Sequence, residues 1–166
     1  MDLRVWVPAY IALGSNLSQP QQQVQLACAQ LAQLPACGTL LRSSLYHSAP
    51  MGPADQPTYV NAVVGLLTTL PVLELLGQLQ NIERVMGKQP PSLHWGARII
   101  DLDLLLYGEQ RSDTEQLQLP HPGLLLRNFV LVPLAEIAPQ LCLPNGITAD
   151  AGARKLGMAR LERIAA

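Results

Sequence analysis

The order of strand-like and helix-like patterns along the chain predicts an α+β sandwich, an antiparallel sheet with helices packed on it. Three observations carry this. Four short apolar segments have strand patterning, two segments with helical apolar spacing follow the first and third of them, and Gly- and Pro-rich punctuation separates the parts.

Residues 9 to 13 read as a strand ending at Gly14, with Pro8 acceptable only at its beginning. Ser18 and Gln21 have capping-box spacing and Pro20 suits a first turn. A helix should follow, in which Val24, Ala27, Cys28, Leu31 and Leu34 recur at helical intervals up to Pro35. From Gly38 to His47, the residues Leu41, Ser43 and Leu45 alternate with Arg42, Ser44 and Tyr46, as in a strand with one buried face. Residues 49 to 57 contain Pro50, Gly52, Pro53 and Pro57, a loop of fixed shape. Tyr59 to Leu67 is the next strand, with Val60, Ala62, Val64 and Leu66 on one face and Tyr59 and Asn61 on the other.

Pro71 opens the second helix, whose apolar stripe is read as Leu73, Leu76, Leu79, Ile82 and Met86, and Gly87 is a natural stop. Gln80 and Glu83 share a more polar side. Residues 88 to 96, with Pro90 and Pro91, form a loop, and residues 98 to 107 an Ile- and Leu-rich strand that carries two acids and closes at Gly108. Strand, helix, strand, strand, helix, strand is the order of a ferredoxin-like βαββαβ sandwich. Its second face needs a cover. Residues 124 to 138 supply part of it, with Pro133 expected to break them into a loop and a short helix. The tail, 149–166, is weakly amphipathic through Leu156, Leu161 and Ile164, and its pattern assigns it no role. Without a linker or repeat, residues 1–166 are expected to form a single domain.

A net charge of -1, from 11 basic and 12 acidic residues, provides no field to hold nucleic acid or an anionic membrane, so any phosphate must be held locally. The three cysteines, Cys28, Cys37 and Cys142, lack C-x-x-C spacing and read as small core residues of a protein in a reducing compartment. No apolar run approaches the roughly 18 residues of a membrane span, and the first residues lack the regions of a signal peptide, so a cytoplasmic location is expected.

Asp101 and Asp103 lie two apart in an otherwise apolar strand, so both side chains leave the same face with Cα atoms about 6 to 7 Å apart. Two such carboxylates repel, and a cation between them relieves the repulsion. Mg²⁺ suits the position because it takes oxygen ligands and is shared with substrate phosphates. Trp95, Gly96 and Arg98 arrive at the same end of that strand, and the planar fork of Arg98 suits phosphate. Tyr59 and Asn61 pair an aromatic face with an amide, a way to hold a flat heterocycle. Plainer explanations stand beside these: a solvated acidic face, a surface Arg paired with an acid, a core Tyr, a core Phe129 and a structural loop His121. There is no G-x-x-x-x-G-K-[ST] loop and no G-x-G-x-x-G after a strand, so any ATP chemistry would fall to carboxylate-held Mg²⁺ and scattered cations.

Four segments, residues 10–16, 50–61, 95–103 and 119–129, taken in register resemble the motifs of the hydroxymethyldihydropterin pyrophosphokinase family from about residue 9 to 140. The resemblance implies a ferredoxin-like fold and transfer of pyrophosphate from ATP to 6-hydroxymethyl-7,8-dihydropterin, with AMP released and two Mg²⁺ ions taking part. It implies that Asp101 and Asp103 are the metal ligands, with Arg98 steadying the phosphates. Tyr59 and Phe129 would sandwich the pterin, Asn61 and the backbone near Ser48 and Met51 would read its edge, Gly14 would allow close approach, and Trp95 would close over the site. Gln80, Glu83, His121 and Arg127 would contact ATP. The expected partners are these two small molecules, with no nucleic acid or membrane, and the chain is expected to be a monomer.

The chain departs from the family pattern in two places. Family members usually carry two or three Arg or Lys between the second helix and the Trp, whereas residues 88–94 hold one lysine, Pro90, Pro91 and His94. Pro122 also follows His121 where an aromatic is common. Two outcomes follow: slower turnover with normal binding, or compensation by Lys88 and Arg98. A degenerate relative that binds pterin or nucleotide without transfer is the alternative. A haloacid-dehalogenase-like phosphatase or a glycosyltransferase fits the D-x-D less well, since both expect more chain around it.

Overall fold

The computed structural model describes residues 4–50, 55–88 and 98–165. In chain order the described elements are β1 (Val7–Ser15), α1 (Pro20–Ala32), β2 (Cys37–Arg42), β3 (Tyr46–Ser48), β4 (Tyr59–Thr68), α2 (Val72–Val85), β5 (Asp101–Tyr107), β6 (Ser112–Asp113), β7 (Gln118–Leu119), α3 (Asn128–Ile137), α4 (Ala149–Leu156) and β8 (Leu161–Arg163). The main sheet runs β5-β1-β4-β3-β8, with β2 also on β4, and every pairing is antiparallel. Counted as one interrupted strand, β2 and β3 complete the ferredoxin-like order predicted from the sequence.

The two faces of the sheet follow the period-two alternation of its strands. Ile11, Leu13, Val60, Ala62, Val64, Leu66, Leu102 and Leu104 pack against Val24, Ala27, Cys28 and Leu31 of α1 and Leu75, Leu79 and Ile82 of α2. On the opposite face, Ala12, Val63 and Leu105 meet Val130, Leu131 and Leu134 of α3, with Ala149 of α4 in the same cluster. Asp101 and Asp103 share this second face, beyond the part that α3 covers.

Several local expectations are corrected. Ser18 and Gln19 take left-handed backbone angles, and α1 begins at Pro20 with no side-chain cap; the Gln23 amide instead donates to the Ser18 carbonyl. The segment predicted as one strand from Gly38 to His47 breaks at Ser43, whose hydroxyl accepts the Val63 N–H in place of a backbone carbonyl, and Leu41 is left 48% exposed. On α2 the buried stripe uses Leu75, while Leu73 is 51% exposed, because both leucines satisfy helical spacing and only packing chooses between them. Pro133 lies inside α3 without ending it; the buried ring packs in a helix otherwise held by Val130, Leu131 and Leu134. Only Cys28 of the three cysteines is buried, and Cys142 is exposed beside an isolated bridge to Thr148. The tail is folded in: α4, capped by the Thr148 hydroxyl, packs on α3, and β8 pairs with β3.

Candidate active site

Strand register assembles the site. Gly14 of β1 lies opposite Asn61 of β4 on one side and Asp101 of β5 on the other, and Ala12 lies opposite Asp103. An amide, a bare backbone and a carboxylate therefore form a row across three strands, about 10 Å from end to end at ordinary strand spacing. A Cβ on Gly14 would come within 3.2 Å of the Asn61 Nδ2 and 3.8 Å of the Tyr59 ring. The glycine thus keeps the floor of the cleft open and makes room first for Asn61.

The cleft over this row is lined by Gly14, Ser48, Tyr59, Asn61, Asp101, Asp103, His121, Arg127 and Phe129. Tyr59 rises from the start of β4, and Phe129 from the first turn of α3, with the Arg127 guanidinium 6.0 Å from the Phe129 ring centre. The buried Ser48 hydroxyl donates to Asn61 Oδ1. That bond fixes the amide orientation and leaves the Asn61 NH₂ as the side-chain donor. Gly123 N–H donates to His121 Nδ1 at 2.9 Å, so a neutral His121 carries its proton on Nε2. Burial, and then the Arg127 charge, lower the His121 pKa and favour that neutral form.

A second cleft, lined by Gln80, Glu83, Lys88, Leu102, Asp103, Glu115, His121 and Pro122, adjoins the first. Asp103 and His121 belong to both. Between the clefts, Lys88 Nζ contacts Glu83 Oε2 at 2.6 Å and Asp101 Oδ1 at 2.7 Å, while Arg98 Nε lies 4.0 Å from Asp101 Oδ2. Glu83 Oε2 also accepts the Leu102 N–H at 3.0 Å. Burial opposes the charge on Lys88, yet the two carboxylates outweigh it and raise its pKa. Glu83 is raised chiefly by its own burial, with Lys88 and the Leu102 N–H pulling the other way; a charged Lys88 suits both partners. Glu83, read from the sequence as part of a polar side, is thus almost enclosed and engaged within the protein.

Asp103 is exposed to the cleft, yet protein packs densely about its carboxyl. That crowding, and then the neighbouring Asp101 charge, raise its pKa despite Lys88, Arg127 and Arg98. The two carboxylates thus stand as neighbours where the clefts join, a position that suits a divalent cation. Among the described residues no group of three or more His, Cys, Asp or Glu is arranged to hold a metal by itself. Two carboxylates fit an ion whose other ligands come from phosphate oxygens and water.

Met51 and Trp95, predicted at the pterin site, lie outside the described residues, as does most of the loop that follows Lys88. The other predicted residues converge on the paired clefts, although Arg98 stands behind Asp101 without lining either one. The sequence assigned no role to Asn16. It is 1% exposed, accepts the Arg98 N–H at 2.7 Å, and donates to the Pro57 carbonyl at 3.1 Å and Gln56 Oε1 at 3.3 Å. One side chain thereby ties the end of β1 to the chain entering β4 and the chain entering β5. Its burial, which obliges it to find such partners, becomes visible only in the fold.

Residues 10–139 match the family model for 7,8-dihydro-6-hydroxymethylpterin-pyrophosphokinase (HPPK). The chain belongs to this family. It is 49% identical over 82% of its length to a 2-amino-4-hydroxy-6-hydroxymethyldihydropteridine pyrophosphokinase of Pseudomonas aeruginosa, covering 84% of that relative. It is 48% identical over 84% of its length to the enzyme of the same name from Haemophilus influenzae, covering 86% of it. The solved wild-type HPPK-DHPS of Plasmodium falciparum with pterin and p-hydroxybenzoate superposes with a TM-score of 0.75 at 14% identity. That match covers all of this chain and 48% of the other, which supports the fold alone.

Proposed function

We propose that this chain transfers the pyrophosphoryl group of ATP to the hydroxymethyl group of 6-hydroxymethyl-7,8-dihydropterin, yielding AMP and the pterin diphosphate for folate biosynthesis. The observation that carries the reading is the pair of adjoining clefts that share Asp103 and His121. Transfer between two bound molecules needs that arrangement, with one ligand in each cleft and the reacting ends at the junction.

The first cleft takes the pterin, stacked between Tyr59 and Phe129, with the Asn61 NH₂ and the backbone near Ser48 reading its edge. The second takes ATP, with Gln80 and His121 in contact with it and Glu83 acting through Lys88, while Arg127, which lines the first cleft, meets the nucleotide only where its phosphates reach the junction. Asp101 and Asp103 hold the metal, proposed as two Mg²⁺ ions, which when bound supply charge neutralisation of the triphosphate. The pterin hydroxyl oxygen forms a bond to the β-phosphorus as the bond from that phosphorus to the α,β-bridging oxygen breaks. AMP leaves with the bridging oxygen, and the hydroxyl proton passes to solvent. Lys88 and Arg98 stabilise the charge that develops on the transferring group, and His121 can donate a hydrogen bond from Nε2 without adding charge. Residues 1–166 act as one pyrophosphokinase domain, a cytoplasmic monomer.

The test is AMP release from ATP and hydroxymethyldihydropterin with and without Mg²⁺. AMP should form in step with the pterin diphosphate and stop on chelation. Release of ADP or phosphate instead, or full turnover in Asp103→Ala, would overturn the assignment.

A further inference from the structure

We infer that the C-terminal segment 157–164 is a brace that sets the separation of the two walls of the first cleft, and that Asn128 is the positioning residue that anchors it. This rests on the reading that the cleft receives pterin.

Asn128 sits between two cleft residues, Arg127 and Phe129, in the first turn of α3. No side chain caps that helix. The Asn128 amide faces the tail instead, with Nδ2 donating to the Gly157 carbonyl at 3.1 Å and to the Ala159 carbonyl at 2.9 Å. One residue further, the Arg160 carbonyl accepts the N–H of Ala49 at 3.4 Å, and Leu161 pairs with Ser48. Ser48 and Ala49 line the cleft from the β3 side, as Phe129 and Arg127 do from the α3 side. Residues 157–161 thus run directly from one wall to the other.

The brace reaches the ligand-reading amide as well, because the Ser48 hydroxyl holds Asn61 Oδ1. β3 is three residues long and would otherwise be a short edge strand beside the loop that opens at Ala49. With β8 on its outer side it is internal to the sheet, and Ile164 N–H adds a bond to the Leu45 carbonyl at 2.8 Å. A tail that merely filled the surface would not need to bind the residue between Arg127 and Phe129 at one end and Ser48 at the other.

Two variants of the full chain test the brace. Asn128→Asp keeps the shape but turns acceptors toward two carbonyls, and Asn128→Ala removes both donors without adding charge. Amide exchange at Ala49 and Ile164 should accelerate about tenfold in both, the scale of one or two lost net hydrogen bonds, while Ile11 and Val64 in the centre of the sheet stay unchanged. Calorimetry with a non-hydrolysable ATP analogue and Mg²⁺ should show hydroxymethylpterin binding about tenfold weaker, with the analogue's own affinity changed less than about threefold. Unchanged exchange at Ala49 overturns the brace whatever happens to binding. Accelerated exchange with intact pterin affinity overturns its role in the cleft. Failure of the unaltered chain to bind hydroxymethylpterin would overturn the site assignment, and with it that role, and the exchange data would still decide whether the tail couples the walls.

Discussion

At Asn61, the side-chain orientation is fixed within the protein, and on the proposed assignment that orientation carries the specificity for pterin. An amide offers two donors at one end and an acceptor at the other, and the Ser48 hydroxyl settles which end is engaged within the protein. Ser48→Ala removes that restraint and should weaken hydroxymethylpterin binding about fivefold to tenfold while leaving the ATP analogue unaffected, as read by calorimetry. At Asp103 the governing fact is a carboxyl whose proton affinity is raised by crowding and by Asp101. On the proposed assignment, protons and Mg²⁺ compete for this one group from a higher pH than they would for an ordinary aspartate. The Mg²⁺ concentration for half-maximal turnover should therefore climb as pH falls, starting earlier than an ordinary aspartate would give. Titrating turnover with Mg²⁺ at several pH values checks this, and a requirement that stays flat down to the normal aspartate range would show that Asp103 is not the group in competition.

Glu136 holds α3 to the break between β2 and β3, to β3 itself and to β8. Its Oε1 accepts the Ser44 N–H at 2.9 Å and the Ser44 hydroxyl at 2.7 Å, its Oε2 accepts the Tyr46 hydroxyl at 2.6 Å, and Arg163 approaches at 3.8 Å. Partial burial works against the charge, but Tyr46, Ser44 and Arg163 outweigh it, so the folded state lowers the Glu136 pKa. A lowered carboxyl contributes stability above its unfolded pKa and loses it as pH falls through the folded value. Glu136→Gln should thus flatten the decline in stability between the ordinary glutamate range and more acid pH, measured as urea midpoints across that interval. The regular strands and helices were legible in the sequence because burial on one face leaves a period. This junction was not. Ser44 and Tyr46 lie far along the chain from Glu136 and Arg163, and each alone looks like an ordinary surface residue. For the same reason the Leu73 or Leu75 choice on α2 and the continuation of α3 through Pro133 are set by packing, which a one-dimensional pattern does not contain. The candidate site fared better, since Tyr59 with Asn61 and Asp101 with Asp103 each share one strand and reveal their common face by spacing; Asn16 and Asn128 work across the fold and gave no such signal.

Across the entire chain, charge is scarce: a net charge of -1 and a loop after α2 that holds one lysine leave few cations for a reaction that accumulates negative charge. The structure places that lysine, Lys88, between Glu83 and Asp101, where it links the end of α2 to the start of β5. Two roles converge there, and they can be separated. As a structural charge, Lys88 compensates the nearly buried Glu83; because Lys88 itself is 27% exposed, Lys88→Ala should cost about 1 to 3 kcal/mol in a urea titration, below the figure for a fully buried pair. As a catalytic charge, it should matter only as the pyrophosphoryl group moves, worth about 2 to 4 kcal/mol, or a slowing of about 30- to 1,000-fold. Stopped-flow measurement of the chemical step in Lys88→Ala, made where the variant remains folded, isolates the second role. A slowed step with both ligands still bound is the expected result. An unchanged rate would mean that Arg98, or residues of the loop itself, carry the compensation, and Lys88 would be left with its structural part alone.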